Sequence, residues 1–206
     1  MLSNIKKKDL FIYLGVLAFA LIAPNVFPDY RIQFTFWLVL IILAITWNIQ
    51  GGEMGYNTFG NIMFFGVGMY VCSGIQIGLF FDLAEWTVSG GEKTFVHTPD
   101  QYFQGLWVGL LAAAIIPAII ALIIGYGVLG LRGHYFAICT LGIGIASGEV
   151  AGGIELIGAG QGMTAPPWPK DIGGTEYRNE FFYYLTLALF VMTFVFIKWL
   201  YSTRFR

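Results

Sequence analysis

LRGHYFAICTLGIGIASGEV, Leu131–Val150, opens with an arginine and a histidine, continues as an apolar run stepped with small residues, and carries a carboxylate near its far end. With its apolar continuation to about residue 157 it is long enough to cross a bilayer core, which takes about 20 mainly apolar helical residues. Thr140, Gly144, Gly148 and Gly152 recur every four residues, along one stripe of a helix where backbones approach closely. In hydrocarbon, tight packing and interhelical hydrogen bonds drive helix association, because leaving water no longer contributes. The stretch therefore predicts a membrane helix packed against others, with Gly144, Gly148 and Gly152 in the contact. The fold class that follows is all-α, a polytopic transmembrane bundle.

The rest of the chain agrees. Its 206 residues are 57% hydrophobic and 11% charged, against roughly 25% charged in soluble domains. Five further stretches have spanning length or approach it: 9–26, 32–48, 59–81, 104–130 and 181–201. The glycine-rich 59–81 follows a broken approach near residues 49–60, NIQGGEMGYNTFG, that a regular helix would not choose. The reading is one transmembrane domain over 1–206 with about six spans. Lys6, Lys7 and Lys8 before an apolar run imitate a secretory signal, but the run continues through LIAP and later segments are also apolar, so it is read as a retained first span.

With the amino terminus in the cytoplasm, Lys6, Lys7, Lys8, Arg132, Lys198, Arg204 and Arg206 lie inside, and Arg31, Lys93, Lys170 and Arg178 lie outside. That bias predicts both ends at the cytoplasm and puts the two longer polar loops outside. Those loops are too short and too rich in Gly and Pro for cores of their own. A net charge of -1 gives no basic face for nucleic acid.

Polar residues inside apolar segments are the functional candidates. Glu149 falls about 14 residues into its span, roughly 21 Å along an ideal helix, and about 100° from Gly148. A carboxylate there should face protein or water. Two readings are open: a group on a solute path, or a protonated carboxyl closing a helix contact. Glu155 is nearer the outer water. Glu53 lies in the broken segment, where irregular backbone is tolerated only against protein or along a cavity; a plain connection is the other reading. Pro117 predicts a kink. Cys72 and Cys139 read as small apolar fillers, while Arg132 and His134 read as interfacial residues. GGEKT at Gly90–Thr94 has Glu92 where a phosphate loop needs glycine, and GAGQG lacks the strand and helix of a dinucleotide site. Neither a metal-ligand spacing nor a catalytic constellation is present in the sequence.

Two long motifs resemble the inner-membrane permease subunits of bacterial ABC importers for branched-chain amino acids. In WNIQGGEMGYNTFGNIMFFGVGMY, the matching positions are Asn48, Gly52, Gly55, Gly60, Phe64, Phe65, Gly66, Gly68 and Tyr70. In LRGHYFAICTLG they are Leu131, Arg132, Tyr135, Phe136, Ala137, Thr140, Leu141 and Gly142. GAGQGM resembles a glycine element that follows this helix in the family, through Gly158, Gly160 and Gly162. Asn61 stands where the family usually has His, Thr58 where it has Ser, Tyr56 where it often has Gln, and Ile145 where it has an acid. The chain stops at STRFR, where relatives continue into a coupling segment and further spans. It is therefore expected to be a fragment or a shortened subunit, resembling the amino-terminal two thirds of a permease.

The resemblance implies a multi-pass subunit of the bacterial inner membrane, set in lipid and working with others. Those others would be a second permease, homologous or identical, cytoplasmic ATPase subunits and a periplasmic solute-binding protein. ATP and Mg would sit on the ATPases, with no cofactor and no enzymatic activity in this chain. The solute would be a branched-chain amino acid or a related small polar molecule such as another amino acid, an amide or urea. Asn48, Glu53, Thr58, Asn61, Thr140 and Glu149 are the candidates for the translocation pathway. A passive channel or a non-transporting membrane subunit is the alternative.

Overall fold

The computed structural model describes residues 7–90 and 95–202. Lys6, Lys93, Arg204 and Arg206, used above for orientation, and residues 91–94 of GGEKT lie outside them. The described residues are helical and contain no strand: α1 (Lys7–Val26), α2 (Arg31–Asn48), α3 (Asn61–Gly78), α4 (Leu83–Ser89), α5 (Pro99–Val128), α6 (His134–Gly153) and α7 (Thr175–Ser202). Among them α2, α3, α5, α6 and α7 are long and apolar enough to cross a membrane, and α1 adds a shorter apolar stretch, Gly15–Val26. The all-α polytopic expectation holds. The sixth span read at 9–26 is this shorter stretch, and α6 ends at Gly153 rather than near 157 because 3-10 turns take over at Glu155–Ile157 and Ala159–Gln161.

The chain divides into two compact units, one formed by residues 1–46 and 173–206, the other by 47–172. In the first, Leu38 of α2 packs with Tyr183 and Leu187 of α7, flanked by Ala20, Phe34, Tyr184 and Phe190. Pro24 inside α1 has no N–H to give the Ala20 carbonyl four residues back. The Tyr183 hydroxyl supplies the missing donor, 2.6 Å from that oxygen. Arg31 donates from Nε to the Pro24 carbonyl at 3.0 Å and pairs with Glu180 at 3.8 Å, so the turn between α1 and α2 is tied to the start of α7. Tyr183→Phe should leave the Ala20 carbonyl without a donor and cost about 1 kcal/mol. A fall in the detergent melting temperature checks this, with Tyr184→Phe as the variant that leaves the bond intact.

In the second unit α3 and α5 run antiparallel, joined by α4 and its flanking loops. Their register follows from small residues. Gly105 meets Gln76, Gly109 meets Cys72, and Gly68 meets Ala113 and Pro117, so both helices contribute one residue every four. The Gln76 side chain donates to the Tyr102 carbonyl at 3.3 Å, which satisfies its buried amide.

A dense aromatic cap closes the α3–α5 end of this unit. Trp86 of α4 is fully buried and donates from its indole to the Thr164 carbonyl at 2.9 Å. His97 is buried against Phe81, Trp86 and Phe80, with ring centroids 4.7, 5.7 and 6.1 Å away. Because a carbonyl only accepts, its Nε2–H must donate to the Gln76 carbonyl at 3.3 Å, in the last turn of α3 where helical donors run out. Burial holds the imidazole below its ordinary pKa, against the smaller opposite effect of that hydrogen bond. Asp82 caps α4 by accepting from Ala84 and Glu85, while Thr98 and Gln101 form a capping box on α5.

Candidate functional site

The broken segment is built around one aromatic anchor. After α2 the chain widens into a π turn, Ile49–Glu53, closed by Met54 N–H on the Ile49 carbonyl at 3.0 Å. A side chain at Gly51 would run into the Trp47 ring, its Cβ lying 2.7 Å from two ring carbons. At Gly52 it would run into the Asn48 carboxamide. The two glycines therefore let Trp47 and Asn48 fold back over the turn. Trp47 then donates from its indole to the Thr58 carbonyl at 2.9 Å, so the irregular loop is held from its start to its end.

The same loop is pinned on α6. The Phe59 amide donates to Thr140 Oγ1 at 3.2 Å, and that hydroxyl donates in turn to the Ala137 carbonyl at 3.0 Å. Thr58 Oγ1 accepts from the Gly60 amide at 3.2 Å. A Cβ at Gly60 would lie 3.1 Å from the Thr140 carbonyl, and one at Gly144 would lie 3.7 Å from the Phe59 carbonyl. Thr58, Gly60 and Thr140 are all buried. A non-helical strand of backbone is thus seated directly on α6, with its exposed donors met by hydroxyls. Membrane proteins tolerate irregular backbone in such protein-covered settings.

Of the sequence candidates, the structure brings Thr58 and Thr140 together. Asn61 begins α3 immediately beyond, half-buried, and Asn48 and Glu53 bracket the π turn with exposed side chains. Glu149 lies apart. It is nine positions beyond Thr140, about 14 Å along α6 and about 180° around it, and is exposed. Only the start of the glycine stripe touches this loop: Gly144 is in contact, whereas Gly148 and Gly152 have open space beside them among the described residues. The 3.6-residue repeat explains this, since a four-residue step drifts about 40° each time and turns the far glycines away.

Beyond α6 the two 3-10 turns form a tight knot. Gly158 and Gly162 have φ of 89° and 75°, and a Cβ at Gly158 would collide with the Gly162 carbonyl. The Trp86 indole and the Thr87 hydroxyl hold this knot to α4, the latter donating to the Leu156 carbonyl at 3.1 Å. The glycines here are legible in the sequence but their partners are not, because the bonds join residues 78 and 69 positions apart.

Thr140→Val keeps the shape of the side chain but leaves the Phe59 amide unpaired, and should lower stability by about 1–3 kcal/mol. Thr140→Ser, which retains the oxygen, should lose less than half as much. Thermal unfolding of the purified variants compares the two, and equal losses would mean that the methyl group carries the contact.

Residues 32–205 match the family described as branched-chain amino acid transport system / permease component. The chain is 29% identical over 158 residues to the high-affinity branched-chain amino acid transport system permease protein LivM of Salmonella typhimurium, covering 72% of this chain and 35% of that protein. It is 30% identical over 151 residues to the LivM protein of Escherichia coli, covering 68% of this chain and 34% of that one. The chain therefore spans about a third of the length of these curated relatives. No solved structure matches it.

Proposed function

The chain belongs to the branched-chain amino acid transport permease family, and from that premise we propose that it is a permease subunit of an ATP-driven importer. It forms part of the path for branched-chain amino acids or a related small polar solute. The observation that carries the proposal is the family match over residues 32–205, which takes in both the broken segment and α6. Its partners are a second permease, two ATPase subunits that bind ATP and Mg, and a periplasmic solute-binding protein. The amino terminus is cytoplasmic in the inner membrane.

Alternating access needs polar groups that are satisfied differently in two states. The Thr58–Thr140 junction supplies a fixed seat for the broken segment, and the exposed Asn48 and Glu53 stand at its free edge. Glu149 is exposed among the described residues, and a membrane carboxylate requires polar company, which water or solute on a pathway would supply. Glu149→Gln should lower the uptake rate about tenfold, and Glu155→Gln by less than twofold. Full activity in both variants would remove Glu149 from the pathway.

The proposal is tested in cells stripped of other uptake systems for these amino acids. Expressing the chain with its partner subunits should raise uptake of labelled leucine, isoleucine or valine above the empty background. Uptake equal to background for all three, from an assembly that purifies intact, contradicts it.

A further inference from the structure

His97 is buried in the aromatic cap with one ring nitrogen satisfied and the other not. It is 3% exposed and stands among Phe80, Phe81 and Trp86. Phe95 closes the group, 5.3 Å from Phe81 and 5.5 Å from Trp86 between ring centroids. With Nε2–H donating to the Gln76 carbonyl, Nδ1 is left as an acceptor. That nitrogen is buried and has no hydrogen-bond partner among the described residues. A neutral imidazole forgoes one hydrogen bond here. An imidazolium would bring a full charge and a second N–H donor to a place that offers the donor no acceptor, and a buried charge is tolerated only when paired.

The titratable groups on the surrounding elements do not supply that pairing. Asp82 accepts from the Ala84 and Glu85 amides at the start of α4. Asp82, Glu85, Asp100 of α5, Glu155 of the turn beside α4, and Lys170 and Asp171 beyond Trp168 are all exposed. Cys72, one turn before Gln76 on α3, lies against Gly109, and its thiol, like the Tyr102 phenol of α5, is uncharged at neutral pH. Glu92 and Lys93 lie outside the described residues. Burial is accordingly the larger influence on His97 and lowers its pKa, with the Gln76 hydrogen bond acting the other way.

The ring also joins several elements. Gln76 gives His97 its carbonyl and gives the Tyr102 carbonyl its side-chain amide. Trp86 holds the Thr164 carbonyl from the loop after α6. That loop lies close on α3: a Cβ at Gly162 would be 3.8 Å from the Tyr70 hydroxyl, and one at Gly74 would be 3.9 Å from the Met163 methyl.

We propose that His97 is a proton-sensitive lock on the aromatic cap: neutral, it closes the cap, and protonated, it leaves the cap and frees Trp86 and the Gly158–Thr164 loop from α3. In the opened cap the imidazole is hydrated and titrates near its ordinary value, about 6.5. The closed form titrates lower, so the open form binds more protons. The closed population is therefore insensitive to pH above about 7.5 and falls as pH drops below about 6.5, by at most about tenfold per pH unit. The opening is local, because the glycine contacts of α3 on α5 lie outside the cap. The lock does not depend on the transport reading.

Hydrogen–deuterium exchange of the detergent-extracted protein at pH 7.5 and pH 5.0 tests it, each rate being divided by the intrinsic rate at that pH. Protection of α4 and of residues 158–164 should fall at least fivefold at pH 5.0, while that of α5 changes less than twofold. His97→Gln, whose amide can still donate to the Gln76 carbonyl but does not titrate, should remove the pH dependence. If that variant does not assemble, His134→Gln leaves His97 as the one histidine of the chain, and its ¹⁵N-imidazole resonances should be those of the neutral Nε2–H form at pH 7.5 and should titrate in step with the loss of protection. The lock is overturned by a fall of less than fivefold in the cap, by an equal fall in α5, by a fall that persists in His97→Gln, or by an imidazole that titrates at or above 6.5.

Discussion

Replacing Gly109 with valine should remove most of the folded protein from the membrane. A Cβ at this position lies 2.7 Å from the Cys72 carbonyl oxygen, 3.2 Å from its sulfur and 3.3 Å from its Cα. The first and last are backbone atoms of α3, so no rotamer change relieves the clash; the two helices must separate. One turn away, a Cβ at Gly105 meets Gln76 atoms at 3.0–3.2 Å, including its carbonyl oxygen and Cα, and closes off sliding as an escape. Overpacking of a tight core costs about 1–3 kcal/mol. Alanine should fall in that range and the branched valine beyond it. In hydrocarbon the loss is felt fully, because close packing is itself the main force holding helices together. The measurement is the yield and melting temperature of detergent-extracted protein. Gly66→Ala and Gly127→Ala are the controls, since among the described residues a Cβ at either meets no other part of the fold within 4 Å. A normal yield of Gly109→Val would mean that α3 and α5 do not pack in this register.

Gly158→Ala should leave the bundle assembled and still abolish most uptake, by tenfold or more per molecule. Its φ of 89° is strained for any residue with a Cβ, and that Cβ is directed into the Gly162 carbonyl. Around it the chain reverses within a few residues: the Gly158 amide donates to the Glu155 carbonyl at 3.0 Å, and the Gly158 carbonyl accepts from Gln161 at 2.9 Å. An alanine must open this knot, and the Gln161–Thr164 loop then loses its position against α3. The main packing of α3 on α5 is elsewhere, so folding should be spared. Uptake divided by surface amount separates the two effects. Uptake within twofold of the parent would show that the loop carries no part of transport.

The spans were legible because length and apolarity suffice to mark them. The break before α3 was legible too, since Gly51, Gly52, Gly55 and Gly60 crowd a short segment. The tightest helix contact was not found, although its signal was present: Gly105 and Gly109 form a four-residue step inside the apolar run of α5. Thr140 and Gly144 have the same spacing, but among the described residues only that end of their stripe faces a partner. The aromatic cap could not be read at all. FDLAEWTVSGGEKTFVHTPDQ has the composition of an outer loop, and only tertiary contacts bury Trp86 and His97. The role of Tyr183 was equally hidden, because it depends on a carbonyl freed by Pro24 more than 150 positions earlier.

ATP-driven accumulation is measured in sealed vesicles. The chain is reconstituted with its partner permease, ATPases and solute-binding protein, in the orientation that imports, and labelled leucine is followed with and without ATP. The transport reading predicts an inside concentration well above the outside one, reached only with ATP and lost when the ATPases are inactivated. Equal concentrations on both sides, reached at the same rate without ATP, would contradict it and identify a passive path.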